Sequence, residues 1–199
     1  MDQMIIVGLD LAGSPRRPTG FSRLYYPSLD VYTSIVYTDE EIVESIARCK
    51  PRIVAIDAPL GLPKGRRSMD DHGPHLRLCD TMLRRAGIRF LPVTLGAMRM
   101  LTERGMKLKP KIEELGFEVI EVYPGGAQDI LGLPRAKKDR YSLRSGLENL
   151  GLKIHGFDLT VHELDAVTAA YTGLMYVKGE CVILGDPEES TIIMPKHPA

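Results

Sequence analysis

Met4-Ile5-Ile6-Val7-Gly8-Leu9-Asp10-Leu11-Ala12-Gly13 is the stretch on which the reading of this chain turns. Ile5 to Leu9 are apolar or glycine without alternation, the pattern of a strand covered on both faces. The run ends on Asp10 and a small-residue turn. A carboxylate at the tip of a buried strand is costly unless something there needs its charge. Arg52-Ile53-Val54-Ala55-Ile56-Asp57 repeats the pattern and again ends on an acid. Between the two, Thr38-Asp39-Glu40-Glu41 reads as a helix start, with Thr38 as cap and Glu41 at the capping-box position. Ile42, Val43, Ile46 and Ala47 continue at helical spacing until Pro51. Two strands joined through a helix are expected to run parallel, with their carboxyl ends on one edge. Ligands in α/β sheets bind beyond that edge. As neighbours roughly 4.8 Å apart, the strands bring Asp10 and Asp57 within reach of one ion.

Outward from this pair, residues 21–26 and 31–37 read as strands joined by the turn Pro27-Ser28-Leu29-Asp30. The segment 58–92 breaks the strand–helix rhythm. It is rich in Gly, Arg, His and Asp and reads as an insertion over the active edge, with a helix over 75–86. A helix is expected from 94 to 104 and a second, short one over 111–114. Residues 117–124 form the next strand, with Glu121 near its end. Short and polar helices follow over 125–131 and 137–150. Residues 159–177 form the last long helix, acidic at its start as the helix dipole prefers. Its small residues Ala166, Ala169, Ala170 and Gly173 let it lie close to a sheet. Two short extended pieces, 181–184 and 191–194, complete the chain.

The bulk composition narrows the function classes. At 199 residues the chain reads as one domain, 1–199, large enough for a sheet covered by helices. With 26 basic and 26 acidic residues the net charge is zero, so any nucleic-acid partner must be held by a local patch. Cys49, Cys79 and Cys181 form no C-x-x-C pair, which argues against a disulfide framework or thiolate zinc site and fits a reducing cytoplasm. No stretch is long and apolar enough to span a bilayer, so no membrane partner is expected.

Asp10, Asp57 and Asp165 are the residues that carry chemistry. Two carboxylates roughly 5 Å apart repel by about 3 kcal/mol at an effective dielectric near 20. A cluster of three therefore calls for a counter-ion or a raised pKa. Mg2+ or Mn2+ answers this as a hard cation that takes a few carboxylates and keeps waters or substrate oxygens. His162, three residues before Asp165 on nearly the same helical face, is a further ligand or proton carrier. Glu121 is the other candidate to complete the shell. Glu163, about 200° around the helix from Asp165, reads as solvated. Arg66, Arg67, Arg77 and Arg84 are candidates to contact phosphates, although Arg77 and Asp80 also have the spacing of a simple ion pair.

Four ordered blocks resemble a known group. Gly8-Leu9-Asp10-Leu11-Ala12-Gly13-Ser14-Pro15, Ile56-Asp57-Ala58-Pro59-Leu60, Glu121-Val122-Tyr123-Pro124-Gly125 and His162-Glu163-Leu164-Asp165-Ala166 look like the signature blocks of an uncharacterised family of predicted nucleases. The last block is also similar to the helix motif of RuvC-type resolvases, which carry Glu where this chain has Asp57. The resemblance implies an α/β, RNase H-like mixed five-stranded sheet, flanked by helices, its first three strands antiparallel and the later ones parallel. It also implies an active site of strand-end acids plus a helix acid. The expected function is a metal-dependent phosphodiester hydrolase acting on DNA or RNA. Two alternatives remain open: a single-domain phosphate- or nucleotide-binding protein of actin-like architecture, and a non-catalytic binding module. Oligomeric state also stays open, a homodimer included.

Overall fold

In a computed structural model, which describes residues 3–196, the opening run forms β1 (Met4–Asp10). It pairs antiparallel with β2 (Thr19–Tyr26), and β2 pairs antiparallel with β3 (Asp30–Val36). After α1 (Asp39–Cys49) the chain returns as β4 (Ile53–Ile56), beside β1 and parallel to it. β5 (Glu118–Val122) continues the sheet parallel to β4. The order β3-β2-β1-β4-β5, antiparallel at first and then parallel, is the arrangement expected for an RNase H-like sheet. The expectation of five strands falls short, because among the described residues the sheet has eight. The two-residue β6 (Lys153–Ile154) adds to β3, and the hairpin β7 (Cys181–Asp186) and β8 (Ser190–Pro195) extends the other edge through β8 and β5. A two-residue strand carries no periodicity, and the pairing of the last hairpin with β5 is a contact made only in three dimensions.

The capping box on α1 forms as its sequence demands: the Thr38 hydroxyl accepts from the Glu41 amide and the Glu41 carboxylate reaches back. The remaining helices are α2 (Leu78–Arg85), α3 (Gly96–Glu113), α4 (Pro124–Ile130), α5 (Arg140–Asn149) and α6 (Val161–Val177). α3 corrects the expectation of two helices over 94–104 and 111–114. It runs unbroken through Pro110, whose cost of about 3 kcal/mol is offset on either side by Leu108 and Ile112, both fully buried.

The sheet separates two cores, which explains the absence of alternation in β1. Ile6 faces α6 together with Leu24, Ile53, Ala55, Leu164 and Ala170. Val7 and Leu9 face α1 and α3 with Val54, Ile56, Ile42, Ile46, Leu108 and Ile112. Strand parity then fixes the acids. Asp10 follows Ile6 and Gly8 on the α6 side, and Asp57 follows Ile53 and Ala55 on that same side. On β5, Ile120 and Val122 face α6, whereas Val119 faces the other core, so Glu121 shares the Val119 side.

α6 lies directly on β1 and β2 because two strand positions lack a side chain. A Cβ on Gly8 would stand 2.2 Å from the Ala166 carbonyl oxygen, and one on Gly20 would stand 2.0 Å from that of His162. No larger residue permits this approach. It sets the first turns of α6 over the ends of β1 and β4.

Candidate functional site

Asp10 ends β1, and the turn after it is tied from two sides. The Ala12 amide donates to Thr19 Oγ1 (3.1 Å), and buried Arg104 of α3 donates to the Ala12 carbonyl (2.7 Å). The ladder between β1 and β4 continues to Asp57, whose amide donates to the Leu9 carbonyl (2.8 Å). The two acids therefore stand side by side at the carboxyl edge. Asp165 reaches the same place from the second turn of α6, with its Oδ1 accepting from Gln128 Nε2 (2.7 Å). Gln128 also donates to Thr168 (3.1 Å), while its buried Oε1 has no partner among the described residues.

The electrostatics record this crowding. Burial first, then the charges of Asp10, Asp165 and Glu121, push the Asp57 carboxyl well above its ordinary pKa, with Lys137 opposing. Burial likewise raises Asp165 to about 6; the Gln128 hydrogen bond opposes the rise and Asp10 adds to it. His162 donates from Nδ1 to Asp10 Oδ2 (2.6 Å), and that bond raises the imidazole pKa against the effect of its burial. The cluster thus holds more negative charge than its surroundings neutralise.

The donors fit a hard divalent cation in kind. They are carboxylate oxygens on two neighbouring strand ends and one helix, beside an unpaired amide oxygen. Among the described residues no three Asp, Glu, His or Cys side chains close on a single point. The expected three-acid cage is therefore an open cluster. An open cluster suits Mg2+ or Mn2+, which bind through one or two carboxylates and otherwise keep water.

Glu121 is displaced from this group by its strand parity. It is buried, and its carboxylate accepts from Arg77 Nη1 (2.8 Å) and Nη2 (2.7 Å), the Leu60 amide (2.8 Å) and Ser190 Oγ (2.9 Å). Three of these donors converge on Oε2 and one on Oε1, so the carboxylate is committed to this network. Arg77, expected on a phosphate-gripping surface, is instead 1% exposed and forked between Glu121 and Asp80. Burial opposes its charge, and the two carboxylates outweigh that effect. Arg66 spends its guanidinium on the carbonyls of Pro74, Met69, Asp71 and Gly73, so it shapes the segment 58–92. Arg67 and Arg84 are exposed, and neither lines the cleft that holds Asp10 and Asp57. Glu163, read as solvated, caps Thr160 and accepts from Thr33 of β3 (2.8 Å).

Asp10 and Asp57 open into a cleft of about 430 Å³. Its basic members are Arg77, Arg89, Arg135 and Lys137; of these only Arg77 stood among the sequence candidates for substrate contact, and its guanidinium is committed to Glu121 and Asp80. Arg135 is paired with Asp129 (2.5 Å). Lys137 is exposed and has no hydrogen bond or ion pair among the described residues. Its signal in the sequence was only a lysine in a polar helix start, indistinguishable from a solvated one. Gln128 gave no signal either, because its role depends on α4 packing against α6.

A family model described as "Protein of unknown function (DUF429)" matches residues 19–189. The chain belongs to the DUF429 family. No curated protein matches it. Two solved structures similar to this DUF429 chain are described as Thermus thermophilus RuvC and T. thermophilus RuvC in complex with Holliday junction substrate. Each is 14% identical, covering 88% of this chain and 96% of its own, with a TM-score of 0.49. Among the described residues, no helix of this family member is long and apolar enough to cross a membrane.

Proposed function

We propose that this chain is a Mg2+- or Mn2+-dependent phosphodiester hydrolase acting on nucleic acid. One observation supports the reading: burial and neighbouring acids push Asp57 and Asp165 toward the protonated form on the α6 face of the sheet's carboxyl edge, where Asp10 ends β1. Asp10 and Asp57 would hold the cation, with Asp165 joining directly or through water. A hard cation there supplies positive charge to the acids and to a bound phosphate.

The chain's own groups have separable roles. His162 is held by Nδ1 on Asp10, which leaves Nε2 free to give or take a proton at the cleft edge. Lys137 offers an uncommitted ammonium to a phosphate oxygen. The segment 58–92, as an insertion over the active edge, keeps Asp10 and Asp57 out of bulk water. The buried Arg77–Glu121 pair anchors that segment to β5.

Titrating Mg2+ or Mn2+ against thermal melting tests the metal site. At a hundredfold excess over Kd a ligand stabilises by about 2.7 kcal/mol, which corresponds to a rise of roughly 5–11 °C for a chain of this size. Asp57→Asn abolishes the rise. Incubation with branched, single-stranded and hybrid nucleic acids, with Asp57→Asn as control, then tests hydrolysis. A flat melting response in the wild type, or cleavage that persists in the variant, refutes the reading.

A further inference from the structure

The cleft beside Asp10 and Asp57 is not lined as a phosphate site alone. Its lining brings Phe90, Leu91, Met98 and Leu101 together with Arg89, Lys137 and the acids. Leu91 is 67% exposed, so its side chain is open to a ligand entering the cleft. This lining is held in advance. The Arg89 carbonyl accepts from Tyr123 Oη (2.5 Å) and Arg135 Nη2 (3.5 Å), and Asp129 fixes Arg135 in turn. Such preorganisation lowers the cost of binding.

We infer that the cleft receives one unpaired nucleotide, its base against Phe90 and Leu91 and its phosphate held by Arg89 and Lys137 beside Asp10 and Asp57. This deepens the proposal above and rests on it for the placement of the phosphate. Three features support it. The volume of about 430 Å³ lies near the lower end of the small-molecule range, so it suits one nucleotide unit. A duplex hides its base faces in the stack and presents only edges and phosphates. An apolar lining beside phosphate-binding groups is of use only to a base taken out of that stack. The base faces apolar carbons, which read no base edge, so this lining accepts any base. The unpaired nucleotide can be part of a single strand or a free nucleotide, and both share this chemistry.

The test uses Asp57→Asn protein in EDTA, where neither metal nor turnover enters. The probes are a single-stranded dodecadeoxynucleotide containing one 2-aminopurine, the same strand annealed to its complement, and the 2-aminopurine mononucleotide. Binding is followed by fluorescence intensity and anisotropy; the chain has no Trp to interfere. The single strand is expected to bind at least about tenfold more tightly than the duplex. Phe90→Ala and Leu91→Ser, each added to Asp57→Asn, should each weaken binding about tenfold, the loss of one stacking contact. Leu91→Ser keeps the melting temperature of its parent because the side chain is exposed, so it remains informative if Phe90→Ala unfolds. A mononucleotide that binds as tightly as the strand identifies the free nucleotide as ligand; a tighter strand identifies the polymer. Equal binding of duplex and single strand, no effect of the Phe90 and Leu91 variants, or no binding of any probe overturns the inference. Metal-dependent melting and cleavage are measured separately, so either proposal can fail alone.

Discussion

Asp165→Asn should make the metal-free protein more stable, and the structure sets the size of the gain. The Asp165 carboxyl is raised from 3.8 to about 6, chiefly by burial. Each pKa unit is worth about 1.36 kcal/mol, so the ionised side chain costs the folded state about 3 kcal/mol at pH 8. The folded pKa lies above the unfolded one. The group's contribution to stability is therefore complete below about pH 3.8 and is lost as pH rises through about 6. Asparagine keeps the shape and can still accept from Gln128, but it carries no charge. In EDTA at pH 8 the variant should melt roughly 6–12 °C above the wild type, at about 2–4 °C per kcal/mol. At pH 4 the two should nearly coincide. Added Mg2+ or Mn2+ should raise the wild type and move the variant much less. Differential scanning calorimetry in both buffers reads all three. An equal gain at both pH values would show that charge is not the cause; no gain at pH 8 would refute the crowding of acids.

Two further substitutions probe what holds the cluster in place. Gly8→Ala puts a Cβ 2.2 Å from the Ala166 carbonyl oxygen, so α6 must lift; a loss of about 3 kcal/mol and of the metal response is expected in calorimetry. Arg77→Met leaves Glu121 and Asp80 buried without their cation, and denaturant unfolding should show a loss of about 3–5 kcal/mol. Adding Glu121→Gln to Arg77→Met should recover part of that loss, since a neutral amide is less costly to bury unpaired.

Much of this arrangement was legible along the chain. The two unbroken apolar runs ending on Asp10 and Asp57 required strands covered on both faces, and the helix between them required parallel neighbours. The glycine and alanine positions on α6 announced close packing, and Gly8 and Gly20 turn out to be the matching gaps on the sheet. Glu121 was a candidate only because it sits near a strand end. Its parity against Ile120 and Val122 would have placed it on the other face, had the faces been known. The arginines were read by charge alone, and charge does not distinguish Arg77, at 1% exposure, from exposed Arg67.

By itself the sequence determined the strands β1 to β5, most of the helices, which strand ends carry acids, and which helix approaches them, because these follow from periodicity and residue size within short windows. The tertiary structure alone decided which charges are paired and buried, that Lys137 lines the cleft unpaired while Arg77 lines it locked to Glu121 and Asp80, and that among the described residues the sheet continues to eight strands. Those outcomes depend on contacts between residues far apart in the chain. A side chain's solvation and its partner are properties of the packed whole, and no local pattern encodes them.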